Sequence, residues 1–385
     1  MATILHLTTV HPRSDTRILI KEAQTLASNL PHKVLLMVAD GKGSVIEEQG
    51  RVSILDLGRL DGGRLRRALV GPWRAFLAIR KINPDIVHFH DPELIPLGML
   101  LRVIGHKVIY DVHEDVPRQI LSKHWLPWII RKPISRVTSA VEWFSGKAFN
   151  AIVPATPKIA GRFPATKTVM IQNFPIPNEL LLTDPIPYIE RPQSFVYPGV
   201  IAKIRGAVEM VRAFELLGDI PGARLDLAGS ISPLGFADEL RMLRGWNSVN
   251  YHGEVTRKQL AHLLGSARAG LVLHHPVPNE IDAQPIKMFE YMATGLPIIA
   301  SDFRPLRKII DQQRCGLLVD QSDPKTIAEA MRWILDHPIE AEAMGRNGRL
   351  AVERTYNWDA EAAKIIGLHN NLLTQRLGLF TRTIQ

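Results

Sequence analysis

One group of charged side chains stands at the start of a predicted helix in the second half of the chain. Lys287 and Glu290 are three residues apart, so they share a helix face. The free amides at a helix start attract anions. Gly295 and Pro297 end this helix, and the apolar run 298–300 predicts a buried parallel strand. We expect these residues to bind a phosphate, although a surface ion pair between Lys287 and Glu290 would also explain the spacing.

A second group follows the first predicted strand of the same half. Gly199 would let the backbone approach a ligand, and Lys203 and Arg205 place two cations before the amphipathic segment Val208–Leu217. A diphosphate would suit this helix start. Arg205 and Lys287 are the principal candidates for binding the diphosphate, and Lys203 is a weaker candidate. The alternative is that this segment is a solvated basic loop.

Histidines stand at the ends of two predicted strands in the first half. His113 follows the run Lys107–Val112, and Glu114 or Asp115 could orient its ring. His90 and Asp91 end another strand, where we expect them to line a ligand-binding cleft. Structural packing is the alternative for any single histidine. His88 and His90 alternate along that strand, but the sequence offers no compelling third and fourth metal ligand, so no metal site is expected.

The segment 290–300, EYMATGLPIIA, resembles the signature of the retaining glycosyltransferases of family 4, which have the GT-B fold. The family usually places a glutamate eight residues before Glu290, and Asp282 stands there in this chain. Glu280 or a backbone amide could take that role instead. The resemblance implies that Glu290 binds the ribose hydroxyls of the donor and that Arg205 binds its diphosphate. It further implies that Asp282 and His113 contact the sugar.

The loop H-P-R-S-D-T-R at residues 11–17 is similar to the form found in a subset of this family. Its position after the first strand implies a place near the acceptor, where Arg13 and Arg17 could hold an acceptor phosphate. Alternatively, Asp15 pairs with an arginine locally and Thr16 caps the following helix.

Apolar runs alternate with amphipathic segments along the chain, and the alternation restarts after the proline-rich segment 174–187. This predicts an α/β protein with two doubly wound, Rossmann-like parallel-sheet domains, residues 1–178 and 188–359, facing each other across a cleft. The run Thr168–Gln172 is predicted to be a strand of the first domain. The resemblance implies that the C-terminal helix, 360–385, packs back on the first domain.

The net charge of +9 lies in the first half, because residues 1–180 hold 24 of the 47 basic but only 15 of the 38 acidic residues. A polyanionic partner or a solvated basic surface would explain this asymmetry. The single cysteine, Cys315, and the absence of a signal-like start predict a cytoplasmic protein. No apolar run is long enough to span a membrane.

Aromatic residues mix with basic ones across 121–149, a composition typical of an interfacial helix. Packing in the domain core is the alternative. The aromatic residues are Trp125, Trp128, Trp143 and Phe144.

These observations predict a peripherally membrane-associated enzyme of polysaccharide or glycolipid synthesis. It would transfer a hexose-type sugar, with retention, from a nucleoside diphosphate to a hydroxyl of a lipid-linked or saccharide acceptor. We expect no cofactor and no metal, because Arg205 and Lys287 can balance the leaving diphosphate. Whether the donor carries uridine or guanosine is open. The alternatives are a GT-B epimerase or hydrolase of nucleotide sugars, and a non-catalytic basic module; nucleic acid is not an expected partner.

Overall fold

The computed structural model describes residues 1–46, 52–61, 63–123 and 126–374. The chain divides into two compact units. Unit 1 contains Met1–Asn173 and the chain from Trp358 onwards, and unit 2 contains Phe174–Asn357. The division falls at the start of the proline-rich segment 174–187.

Unit 1 is built on a six-stranded parallel sheet with the order β3-β2-β1-β4-β5-β6. The strands are buried and rich in apolar residues, as expected for a parallel sheet that is covered on both faces. Its strands are β1 (Thr3–Leu7), β2 (Lys33–Val38), β3 (Ser53–Asp56), β4 (Ile86–Phe89), β5 (Lys107–Val112) and β6 (Ala151–Pro154).

Unit 2 repeats this topology, with the order β12-β11-β10-β7-β8-β9, all parallel. Alternate residues of β7 belong to different apolar clusters, Phe195 and Tyr197 to one and Val196 to the other, so both faces of the sheet are packed. The strands are β7 (Ser194–Pro198), β8 (Arg224–Ala228), β9 (Val249–Gly253), β10 (Ala269–Val272), β11 (Ile298–Ser301) and β12 (Gly316–Val319).

The helices connect the strands and cover the sheets. A π-helix, Thr16–Ala23, precedes α1 in unit 1, and Asp15 caps it by accepting from the amides of Arg17 and Ile18. The helices of unit 1 are α1 (Gln24–Asn29), α2 (Gly63–Ile82), α3 (Ile95–Val103), α4 (Val116–Leu121), α5 (Trp128–Ala148) and α6 (Pro157–Ala160). Those of unit 2 are α7 (Ala207–Glu215), α8 (Phe236–Arg241), α9 (Arg257–Ser266), α10 (Ile286–Ala293), α11 (Arg304–Gln313), α12 (Pro324–Asp336) and α13 (Pro338–Arg354).

The last helix, α14 (Trp358–Thr374), returns to unit 1 and packs on α1 and the π-helix. Trp358 Nε1 donates a hydrogen bond to Thr25 Oγ1 at 2.9 Å. Residues 375–385 of the predicted C-terminal helix lie outside the described residues.

In each sheet the strand order reverses between two neighbouring strands. The reversal lies between β1 and β4 in unit 1 and between β7 and β10 in unit 2. The segments that leave the carboxyl ends of these strands diverge, and the resulting crevice is where open α/β sheets bind ligands. The topology therefore points to the loops after β1, β4, β7 and β10.

The predicted strand Thr168–Gln172 is wrong. Only Thr168 pairs with β6, as an isolated bridge to Ile152. The amides of Val169 and Ile171 donate to the carbonyls of Ile152 and Pro154. Pro154 has no N–H to return the next bond, so the ladder ends after one bridge.

Among the helices of the described residues, none combines the length and the apolar character needed to cross a bilayer.

We expect Gly345→Ala to lower the free energy of unfolding by about 1–3 kcal/mol. A Cβ on Gly345, in α13, would collide with the carbonyl oxygen of Gly295, which ends α10 with a φ of 66°. Gly367→Ala in α14 is the matched control, because its Cβ would meet no heavy atom within 4 Å. Alanine's helix propensity should raise stability there by about 0.5–1 kcal/mol. Urea denaturation measures both, and equal midpoints for the two variants would contradict the close approach.

Candidate functional site

The loops at the strand reversal of unit 2 bring together four polar side chains. Arg205 lies in a 3₁₀ turn, Lys203–Arg205, just before α7, and His274 follows β10. Glu280 lies in the turn segment after β10, and Lys287 is the second residue of α10. Arg205, His274 and Lys287 each act electrostatically on Glu280, so the four form one cluster.

Two glycines shape the backbone around this cluster. Gly199, directly after β7, has a φ of 117°, and a Cβ there would lie 3.3 Å from Lys287 Nζ. Gly206 has a φ of 76° at the start of α7, and a Cβ there would collide with the carbonyl oxygen of Leu273. A side chain at either position would be strained, so both glycines are required by the local backbone.

Arg205, His274 and Glu280 form a hydrogen-bonded triad. Glu280 forms an ion pair with Arg205 Nη2 at 3.0 Å and accepts a hydrogen bond from His274 Nδ1 at 2.7 Å. His274 Nε2 lies 3.2 Å from Arg205 Nη1 and therefore accepts from it. Burial, together with the neighbouring cations, lowers the pKa of His274 to about 4, so the ring is neutral at pH 7. Burial alone would raise the pKa of Glu280, but His274 and Arg205 outweigh it and lower that pKa.

Lys287 is a cation without a carboxylate partner among the described residues. Its Nζ lies 3.5 Å from the centre of the Tyr197 ring. The residue is partly exposed, yet its ammonium group is enclosed, and burial with the nearby Arg205 charge lowers the pKa of Lys287 well below the usual value. Lys287 and Arg205 repel each other, and an anion bound here would relieve that repulsion.

Glu290 is held by Arg257 rather than by Lys287. Its Oε1 accepts from Arg257 Nη1 at 2.6 Å, and Glu179 holds the same guanidinium in a fork at 2.7 Å. Glu290 is buried, and among the described residues the one side-chain hydrogen bond to its carboxylate comes from Arg257 to Oε1. The surface ion pair between Lys287 and Glu290 is therefore wrong. A rigid carboxylate in this position can accept from a ligand hydroxyl.

The other two candidates of unit 2 are Lys203 and Asp282. Lys203 forms an exposed ion pair with Glu239 at 2.7 Å. Asp282 is half-buried in the turn before α10. Glu280 is the carboxylate that the structure brings to Arg205.

In unit 1, His113 is partly exposed and its ring is oriented by Asp111. Nε2 of His113 lies 3.0 Å from Asp111 Oδ2. The predicted orienters are wrong, because Asp115 caps α4 and pairs with Arg162, while Glu114 accepts from Gln119. Asp111 stands two residues before His113, on the same side of the extended chain.

Asp111 is also the anchor of a buried ionic network. Arg17 donates to it in a fork at 3.0 and 2.9 Å, and His90 Nδ1 lies 3.1 Å from it. Burial alone would raise the pKa of Asp111, but Arg17 and His113 outweigh it and hold this pKa well below its usual value. Asp111 is therefore a permanent anion next to His113.

The structure corrects the prediction for the loop after β1. Arg17 is 3% exposed, with its guanidinium engaged by Asp111 and the Ile171 carbonyl, so it cannot hold an acceptor phosphate. Arg13 donates two hydrogen bonds to the carboxylate of Asp40, from Nε to Oδ2 at 2.7 Å and from Nη2 to Oδ1 at 2.6 Å. The alternative is wrong in both parts, because Asp15 pairs with His11 at 3.2 Å rather than with an arginine, and Asp15 rather than Thr16 caps the helix.

His90 and Asp91 are buried as well. Asp91 accepts from Thr8 Oγ1 at 2.9 Å and from the Thr9 amide at 2.6 Å, which fixes the start of the loop after β1. His90 bridges Asp111 and His6. Both residues position the loop, and neither is exposed to line a cleft as predicted.

Sequence reasoning missed Asp111, His274 and Arg257. Asp111 carried a signal, because it lies near the end of β5 and two residues before His113, and His274 carried one because it closely follows β10. Arg257 carried none, since it is 33 positions from Glu290 and only the packing of α9 beside α10 brings them together.

Two family models match the chain. Residues 17–170 match "Glycosyltransferase Family 4", and residues 185–351 match "Glycosyl transferases group 1". Each match falls almost entirely within one structural unit.

Curated relatives and a solved structure are also similar. The MMP alpha-(1->4)-mannosyltransferase of Mycolicibacterium hassiacum is 22% identical, over 78% of this chain and 73% of its own. The phosphatidyl-myo-inositol mannosyltransferase of Mycobacterium leprae is 23% identical, over 88% and 84%. Anabaena HepE, solved in complex with UDP-glucose, superposes with a TM-score of 0.71 at 11% identity, over 96% of this chain and all of its own.

We expect His274 to make stability depend on pH. Its pKa is about 4 when folded and about 6.5 when unfolded, so the unfolded state binds the extra proton. The stability is full above about pH 6.5 and is lost as the pH falls towards 4, by at most about 1.4 kcal/mol per unit. Urea midpoints across this range should fall less steeply for His274→Gln than for wild type. Replacing the exposed His262 by glutamine should not alter the slope, and equal slopes for His274→Gln and wild type would contradict the assignment.

Proposed function

This chain is a glycosyltransferase of the family 4 type with the GT-B fold, and we propose that it transfers a hexose-type sugar from a nucleoside diphosphate to a hydroxyl, with retention at the anomeric carbon. The family matches favour a transferase over the two alternatives, which were an epimerase or hydrolase and a non-catalytic basic module. The mannosyltransferase relatives support a hexose donor.

The observation that carries the proposal is the pair of basic side chains, Arg205 and Lys287, at the starts of α7 and α10. Lys287 has no carboxylate within ion-pair distance among the described residues, and Arg205 shares Glu280 with His274. A diphosphate carries the charge and the acceptor oxygens that match this pair and the adjacent amides.

The same pair can stabilise the departure of the diphosphate. When the bond from the sugar to the phosphate breaks, negative charge grows on the phosphate oxygens. Fixed cations stabilise this charge more than they stabilise the ground state, which lowers the barrier. Because Arg205 and Lys287 supply the charge, we propose that the transfer step needs no divalent cation.

Glu290 is the proposed ligand of the ribose. Its Oε2 can accept from a hydroxyl, while Arg257 prevents the side chain from turning away. The UDP-glucose bound to Anabaena HepE supports a ribonucleotide donor. In unit 1 we propose that His113, oriented by Asp111, hydrogen-bonds the sugar or accepts a proton from the acceptor hydroxyl.

We propose a lipid-linked or saccharide acceptor at the cytoplasmic face of a membrane, where surface polysaccharide or glycolipid is assembled. Helix α5 supports this, because Trp128, Trp143 and Phe144 are 77%, 44% and 61% exposed. Packing of these three side chains in the core is therefore wrong; Trp125 lies outside the described residues. Exposed Lys132 and Arg136 on the same helix would attract anionic lipids.

Arg205→Ala should lower kcat by about 10²–10³-fold, because it removes a cation from the leaving diphosphate. Glu290→Ala should instead weaken nucleotide binding by about 10–100-fold, because a buried hydrogen bond to the ribose is lost. Calorimetric titration with UDP and GDP and single-turnover assays separate the two effects. Arg241→Ala, at an exposed arginine paired with Asp238, is the control. Wild-type nucleotide affinity and turnover in both site variants would refute the proposed site.

Lys132→Glu/Arg136→Glu should weaken binding to vesicles containing anionic lipid by about tenfold or more, because each basic residue near such a surface contributes about 1 kcal/mol. Trp128→Ser should weaken binding at any salt concentration, since it removes apolar area. Co-sedimentation with anionic and neutral vesicles measures both. Leu234→Ser, at an exposed leucine of unit 2, is the matched control. If α5 variants and wild type bind alike, the membrane contact lies elsewhere or does not exist.

A further inference from the structure

Three histidines meet on a covered face of the sheet of unit 1. His6 on β1 and His88 on β4 are register partners, so their side chains lie side by side. His369 projects from α14 towards them, with its ring centre 6.2 Å from that of His6 and 5.5 Å from that of His88. All three are 0% exposed. The interior of a parallel sheet normally holds apolar side chains at such positions.

Some of the ring nitrogens of these histidines are hydrogen-bonded, and the others have no partner among the described residues. His369 Nδ1 donates to the Ile365 carbonyl at 2.9 Å, so its Nε2 carries a lone pair. His6 Nδ1 is bonded to His90 Nε2 at 3.1 Å. The remaining nitrogens, Nε2 of His6, Nε2 of His369 and both of His88, have no hydrogen-bond partner among the described residues.

Unpartnered nitrogens in the core are costly. Each buried polar group without a partner costs about 1–3 kcal/mol, and native interiors contain few of them. Each of the three rings thus has an unpartnered nitrogen that can carry a lone pair, which indicates a ligand that accepts lone pairs from several imidazoles at once.

We propose that His6, His88 and His369 bind one divalent transition-metal ion of the zinc class. Imidazole nitrogen is a preferred ligand of this class, and three histidines are a common ligand set. One nitrogen from each ring lies within 4.8 Å of the other two. In a tetrahedral site with bonds of about 2.0 Å the nitrogens are about 3.3 Å apart, so modest ring rotations would complete the site.

The surroundings of the rings fit metal ligands. The Ile365 carbonyl fixes the tautomer of His369, and a chain from His6 through His90 to Asp111 fixes that of His6, as outer partners of metal-bound histidines do.

A second group of possible ligands, Glu22, His88, His90 and Asp111, overlaps the first at His88. It is a poorer site, because Asp111 is engaged by Arg17 and both nitrogens of His90 are hydrogen-bonded. Glu22 Oε2 lies 3.9 Å from both His6 Nδ1 and His88 Nε2, so it or a water can fill the fourth position.

The ion would be structural, because no ligand is exposed. It would join α14 to β1 and β4 within unit 1, and so fasten the C-terminal segment to the first sheet. This inference concerns stability and does not depend on the proposed transfer reaction.

The test is the metal content of the purified full-length chain after exchange into metal-free buffer. We expect about one zinc-class ion per chain, and a fall to below about one tenth of that in His88→Gln and in His369→Gln. His252→Gln, at a histidine of unit 2 paired with Asp226, should retain the ion. Adding Zn²⁺ to the stripped wild type should raise its thermal unfolding midpoint, and the two ligand variants should not respond.

Cobalt substitution gives a readout that needs no variant. Co²⁺ added to the stripped wild type should give the intense visible absorption of a tetrahedral site with nitrogen ligands, at a stoichiometry of about one. If stripped, folded wild type takes up neither Zn²⁺ nor Co²⁺ stoichiometrically, the proposal is overturned. It is also overturned if His88→Gln and His369→Gln bind as much metal as wild type.

Discussion

The site of unit 2 depends on two like charges held close together with one carboxylate between them. Arg205 and Lys287 both act on Glu280, and burial, together with the nearby Arg205 charge, lowers the pKa of Lys287. Folding tolerates this arrangement because His274 stays neutral and the Tyr197 ring faces the ammonium. The excess positive charge favours the binding of an anion. In the proposed transfer reaction it stabilises the negative charge that develops on the leaving diphosphate.

The parallel sheet places these charges. Strand order reverses between β7 and β10, so the chain leaves the two strands in different directions and opens a crevice at their carboxyl ends. Gly199 and Gly206 have no Cβ. The absence of a Cβ at Gly199 leaves room for Lys287, and its absence at Gly206 lets the start of α7 lie next to Leu273. Unit 1 has the same strand order, but buried side chains such as Arg17, His90 and Asp111 occupy the region near the carboxyl ends of its strands.

These buried side chains of unit 1 are polar and charged, and they bind one another. Arg17 and Asp111 are both buried, and each would be costly without the other. Their pair orients His113, whose side chain is partly exposed. Behind it lie His6, His88 and His369, so the polar network extends from the loop after β5 to the C-terminal helix. Arg17 and His90 are thereby committed to structure, which explains why their predicted ligand roles are wrong.

The sequence by itself determined the local features. Alternating apolar runs and proline-rich joints predicted two doubly wound sheets, and Gly199, Arg205, Lys287 and Glu290 were found because short-range spacing places them beside helix starts. Only the tertiary structure decided the partners. Asp111 rather than Glu114 orients His113, Arg257 rather than Lys287 holds Glu290, and His369 meets His6 although 363 positions separate them in the chain. Spacing along one helix or strand is set by its own geometry, whereas contacts between elements are set by how the sheet orders its strands and where the last helix packs.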